Sequence, residues 1–170
     1  MSLKNVKKED VVLVDMYGKV LEENDKKPSS EVFMHLGIYK NRDDVGGIVH
    51  THSPVAVGFS IVGKTPKTME GLWGVEDEHI PLVEYAPPGS MKLANYVSQK
   101  MKNKNAVLLE KHGVVAVGKN PDEAALLAEA IEELAKMRFV SQVLSLESLL
   151  IRSKRSICEF LRVLECLGRC

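Results

Sequence analysis

An excess of charge of either sign is missing from this chain of 170 residues: 23 basic side chains stand against 23 acidic ones. No global field therefore favours nucleic acid or an anionic membrane, and any bound anion must be held by local groups. Long apolar runs are missing too. Nothing approaches the roughly 18 residues of a bilayer span. The opening MSLKNVKKED lacks the apolar stretch of a signal peptide, so a cytoplasmic protein is expected. Cysteine is scarce. Cys158, Cys166 and Cys170 are odd in number and gathered at one end, which makes a poor disulfide framework; packed free thiols fit them better than metal ligands. Internal repeats and low-complexity segments are absent. What is present, 45 % apolar and 27 % charged residues, is ordinary for a globular protein, and the length fits one domain over residues 1–170 with a core of its own.

Hydrophobic patterning places the elements. Residues 11–15, VVLVD, predict a strand, with Tyr17-Gly18-Lys19 turning the chain back through Val20 and Leu21. Pro28-Ser29-Ser30-Glu31 predicts a helix start, a hydroxyl cap with acid in the first turn, and places Glu31 and His35 together on one face. Residues 47–52 predict a strand, and Ser53-Pro54 a short helix after it. Residues 63–79 form a polar excursion, 80–85 a strand, and Pro87-Pro88-Gly89-Ser90 a loop ending in a helix cap. The helix from Met91 to about Lys102 precedes two strands, 106–109 and 114–117, joined across Glu110-Lys111-His112-Gly113. Asn120-Pro121-Asp122-Glu123 opens a helix expected to run to about Leu150, with a last helix over 156–167.

Five histidines carry the chemistry to be weighed. His50 and His52 flank Thr51, and on a strand residues i and i+2 share a face, so both imidazoles can reach one ion. Zinc takes imidazole nitrogen at roughly 2.0–2.1 Å and, in catalytic sites, keeps a position open beyond three protein ligands. A bare His-x-His is more often no more than two histidines on a half-exposed strand, so the pair alone is a weak signal. His112, in a Lys-His-Gly turn where two apolar strands meet, offers a third imidazole, although a turn histidine can simply face solvent. His79 reads as surface, and His35 as a packed or hydrogen-bonding residue.

The sequence PSSE, a histidine four residues after that glutamate, HTHS, and KHGVVAVG followed by a Pro-Asp-Glu-Ala helix, taken in order, resemble the class II aldolase/L-ribulose-5-phosphate 4-epimerase family, which includes L-fuculose-1-phosphate aldolase. The resemblance runs from about Val11 to about Leu146. It implies a single three-layer α/β/α domain around a largely antiparallel sheet. It also implies a Zn2+ ion held by His50, His52 and His112, Glu31 as the acid–base residue, and Ser29 and Ser30 on the substrate phosphate. The helix-start position of the two serines suits an anion independently, and simple capping explains them as well. The implied activity is that of an aldolase cleaving a small ketose phosphate through a metal-stabilised enediolate, in a cytoplasmic homotetramer. Glutamate at position 31 favours the aldolase branch, since the epimerases carry aspartate there. A 4-epimerase, a dehydratase or decarboxylase on the same scaffold, or a non-catalytic interaction module are the alternatives. Two departures accompany the resemblance. The family's Gly-Asn-x-Ser and Thr-x-Ser-Gly stretches are not found, so an N-terminally truncated member is expected, and residues 65–70 lack the tyrosine that the aldolases place over a neighbouring site.

Overall fold

The computed structural model describes residues 6–21, 26–69 and 75–167, with side chains through residue 146. Its centre is a four-stranded sheet in the order β1-β4-β3-β2, formed by β1 (Gly47–Thr51), β2 (Leu82–Val83), β3 (Ala106–Leu109) and β4 (Gly113–Gly118). All four residues of AVLL in β3 and five of six in β4 are buried, as β-branched and aliphatic runs covered on both faces should be. β1 pairs antiparallel with β4, and β4 antiparallel with β3; the edge strand β2 runs parallel to β3. A parallel pair needs a crossover, and here it is α3 (Met91–Lys100).

Strand alternation divides the core in two. Val107, Leu109, Val115 and Val117 point to one face, where Met34 and Ile38 of α1 (Val32–Tyr39) and Leu93, Val97 and Met101 cover them. Ala106, Leu108, Val114 and Ala116 point to the other, beneath Ala56 and Phe59 of α2 (Pro54–Ile61) and Leu127, Ile131 and Leu134 of α4 (Pro121–Leu167). The result is three layers, α/β/α, around a sheet that is antiparallel except at its short edge. Each fully buried Leu, Ile or Met side chain contributes roughly 1.5–3 kcal/mol to holding these layers together.

Two helix starts form as the sequence predicts: Ser90 accepts the Leu93 amide at 3.1 Å, and Asn120 the Glu123 amide at 2.8 Å. Three elements differ. Residues 11–21 turn back as expected, with Asp15 accepting the Tyr17 and Lys19 amides, but they form one isolated bridge, Val14 with Val20, and join no sheet. The strand predicted over 80–85 shortens to Leu82–Val83, flanked by Pro81 and Ala86-Pro87. The two helices predicted after Asn120 are one continuous helix, because no proline or glycine interrupts 122–167. The reading of the cysteines concerns side chains outside the described residues.

Candidate metal centre

β1 and β4 are neighbours, and the turn before β4 hangs beside the end of β1. His50 and His52 therefore meet His112 although some 60 positions separate them in sequence. Their ring centroids lie 4.9–5.1 Å apart, and one nitrogen from each comes within 4.8 Å of the others. Three atoms no more than 4.8 Å apart all lie within about 2.8 Å of some common point, so closing to the roughly 2.0–2.1 Å of a zinc–imidazole bond takes less than about 1 Å per nitrogen.

The donor chemistry fits a cation. His50 Nδ1 lies 2.9 Å from the Val114 carbonyl; a carbonyl only accepts, so Nδ1 carries the proton and Nε2 keeps its lone pair. That Nε2 is buried without a hydrogen-bond partner, and so is Nδ1 of His112. Two buried, orphaned imidazole nitrogens turned toward a third imidazole are costly unless something binds them. Burial pulls the His50 pKa down to about 4, aided by the neighbouring imidazoles and only partly opposed by the Val114 hydrogen bond, so the ring is neutral at pH 7. Burial lowers His112 as well, against the pull of the Glu31 carboxylate. His52 is exposed, leaving the cluster open to solvent on its side.

Gly113 makes the approach possible. A Cβ there would sit 2.4 Å from the Thr51 carbonyl oxygen, 2.9 Å from His50 Cε1 and 3.2 Å from His52 Cδ2. The space a side chain would fill is the floor of the histidine cluster.

The remaining sequence-predicted residues relate to this cluster unequally. Glu31 is buried, at 7 % exposure, and its charge is felt at His112. It occupies the N-cap position of α1 itself, so the helix starts later than predicted and has no acid in its first turn. Ser29 Oγ accepts the Glu31 amide at 3.2 Å rather than capping the helix, and both Ser29 and Ser30 are exposed. His35 is half-buried, its pKa lowered by burial, and its charge reaches His50 although it stands outside the three-imidazole group. His79 is exposed, as expected.

Two residues that the sequence did not single out, Glu132 and Ser60, brace the helix beside the cluster. Ser53 occupies the N-cap of α2, but its hydroxyl pairs with Thr51 Oγ1 at 2.8 Å; the α2 amides of Val55 and Ala56 go instead to the carboxylate of Glu132 on α4, at 3.2 and 3.0 Å. At the other end of α2, fully buried Ser60 accepts the Lys111 amide at 2.9 Å. Neither contact has a local sequence signal, since each joins segments at least 50 positions apart.

Comparison with known proteins identifies relatives of this chain. The profile of the class II aldolase and adducin N-terminal domain matches residues 1–139. An L-fuculose phosphate aldolase of Methanococcus maripaludis is 35 % identical over 140 residues, covering 82 % of this chain and 75 % of its own. One from Haemophilus influenzae is 41 % identical over 131 residues, covering 76 % and 60 %. Among solved structures, an L-fuculose 1-phosphate aldolase superposes with a TM-score of 0.76 at 30 % identity, over 83 % of this chain and 66 % of that one. The chain thus spans from three fifths to three quarters of the length of these relatives. With its fold, its three-histidine cluster and these relatives in agreement, the chain belongs to the class II aldolase family, among the metal-dependent carbon–carbon lyases.

Proposed function

We propose that this chain cleaves a small ketose phosphate, L-fuculose 1-phosphate or a sugar of the same form, at a zinc ion held by His50, His52 and His112. The observation that carries the reading is the convergence of three imidazoles, two of them with buried nitrogens that have no protein partner. A bound divalent ion supplies Lewis-acid polarisation of the oxygens of a carbonyl substrate. The protein's own groups do the rest. His50 and His112 stay neutral and so keep their lone pairs available at physiological pH. As the carbon–carbon bond breaks, the hydroxyl on the departing carbon gives its proton to solvent and becomes the aldehyde, while Glu31 delivers a proton to the carbon that loses its partner and removes it in the condensation direction. The hydroxyls of Ser29 and Ser30 hold the phosphate. Ser29 lines a cleft of about 350 Å³ with Lys27, His35 and Asp10, and the lysine's charge suits an anion there.

On the same reading the chain assembles as a homotetramer in the cytoplasm. Met137, Phe139, Val140, Val143 and Leu144 leave an apolar stripe exposed on α4, the kind of surface that subunits cover. Among the described residues no helix is long and apolar enough to cross a membrane.

The test is metal content joined to turnover. The purified protein should hold close to one zinc per chain and release dihydroxyacetone phosphate from L-fuculose 1-phosphate. His52→Ala, which leaves two imidazoles, should lose both metal and activity. Undiminished zinc in that variant sinks the ligand assignment. Zinc-loaded wild type inert toward L-fuculose 1-phosphate and L-ribulose 1-phosphate sinks the substrate class.

A further inference from the structure

Among the described residues, Lys111 is the only non-glycine with positive φ, 57°. A side chain in the left-handed region is held there against its own preference, and it persists only where the surroundings fix it. Lys111 immediately precedes His112, so its backbone angles set where the third imidazole points. One side chain grips it from outside the turn. The Ser60 hydroxyl, 0 % exposed, accepts the Lys111 amide at 2.9 Å and donates to the Val57 carbonyl at 2.8 Å. Both hydrogen-bonding roles of the hydroxyl are thus used, and its orientation is fixed.

α2 itself cannot drift. Glu132 pins its first amides, Phe59 and Ala56 are buried against the sheet, and the helix starts two residues after His52. A single rigid helix therefore connects the strand end carrying His50 and His52 to the turn carrying His112.

We infer that Ser60 is a positioning residue for the metal centre: by holding Lys111 in the left-handed conformation it aims His112 at His50 and His52. The inference rests on the proposed three-histidine site. It concerns affinity and geometry at that site and is separate from the identity of the substrate.

Cobalt(II), which reports its coordination through its visible spectrum, is the probe. Wild type and three variants are titrated against a competing chelator. Ser60→Ala should bind cobalt about 10-fold more weakly, the lower end of what losing a group behind a ligand costs, and should shift the visible bands. Ser60→Cys keeps the volume but is a poorer acceptor, so it should show the same changes in smaller measure; it serves if the alanine variant fails to fold. Val57→Ala trims a half-buried side chain on the same helix but keeps the carbonyl that Ser60 uses, and should bind as wild type does. In metal-free protein the Lys111 amide should exchange with solvent faster in Ser60→Ala. Serine variants with wild-type affinity and spectrum overturn the inference, as does an equal loss in Val57→Ala. Wild type that takes up no cobalt overturns the metal reading, and the inference with it.

Discussion

Adding one methyl group at Gly113 tests whether the histidine cluster is a built site. Gly113 is absent from the described glycines with positive φ, unlike Gly18, Gly63 and Gly89, so alanine meets no backbone penalty and the effect is one of space. Its Cβ would lie 2.4 Å from the Thr51 oxygen, where ordinary contact begins at 3.4 Å, so the gap must widen by 3.4 − 2.4 = 1.0 Å. That oxygen belongs to a backbone held by the Thr51–Val114 pairing and cannot swing aside as a side chain would. Overpacking of this kind costs about 1–3 kcal/mol. At about 2–4 °C per kcal/mol, Tm should fall by roughly 2–12 °C. The same displacement pushes His50 and His52 off the third ligand, and metal affinity should drop by about 10- to 100-fold. The comparison variant is Gly63→Ala, which has φ 67° but nothing within 4 Å of its Cβ. It should lose stability, roughly 1–2 kcal/mol from the left-handed backbone, and leave metal affinity alone. Chelator competition and thermal unfolding of both variants decide the matter. A Gly113→Ala protein that binds zinc as wild type does refutes the steric argument and the position of the cluster with it.

Three further outcomes are expected. Glu31→Gln keeps the size of a buried side chain but cannot accept the proton, so zinc content should be retained while turnover falls by about two to four orders of magnitude; unchanged turnover would reduce Glu31 to a helix-start residue. In metal-free protein His50 titrates near 4 when folded against 6.5 when unfolded. The unfolded chain therefore binds the extra proton first, and stability from this group, full above pH 6.5, is lost as pH falls toward 4; His50→Asn should flatten that slope, and an unaltered slope in urea titrations would contradict the burial of this ring. Glu132→Ala removes both acceptors for the first amides of α2 and should cost about 1–3 kcal/mol with a weakened metal site, whereas a loss confined to surface-salt-bridge size, below about 1 kcal/mol, would show that α2 is held by packing alone.

The sequence is legible where structure is local. The helix starting at Pro121 is announced by Asn120, whose side chain caps it, and by Glu123, which reaches back to the Lys119 amide at 3.0 Å. The period of two in GIVHTH puts His50 and His52 on one face, and the buried hairpin of β3 and β4 follows from two aliphatic runs around a short turn. Legibility fails where a partner distant in sequence decides. Ser53-Pro54 reads as a self-capped helix start, yet the capping acceptor is Glu132, 76 positions beyond the Ala56 amide that it accepts. Ser29 and Ser30 read as caps, yet the cap position falls to Glu31, because Ser29 turns to the Glu31 amide. VVLVD has the composition of a strand but gains no neighbour in the sheet, and composition alone cannot supply one. For His112 the spacing was silent; only the motif resemblance joined it to the pair some 60 residues earlier.

That separation along the chain has a consequence for how the protein comes apart. An ion shared by β1 and the turn before β4 closes a loop of about 60 residues, and in the unfolded chain the imidazoles have no reason to meet. Metal binding is then selective for the assembled sheet, and each tenfold excess of free ion over its dissociation constant adds about 1.4 kcal/mol to the folding equilibrium. An ion held there would act as a removable cross-link between strand β1 and the turn that joins β3 to β4. A chelator in the buffer would lower the melting temperature of this protein before it touched any enzymatic assay, and protein purified in its presence would be the less durable of two otherwise identical preparations.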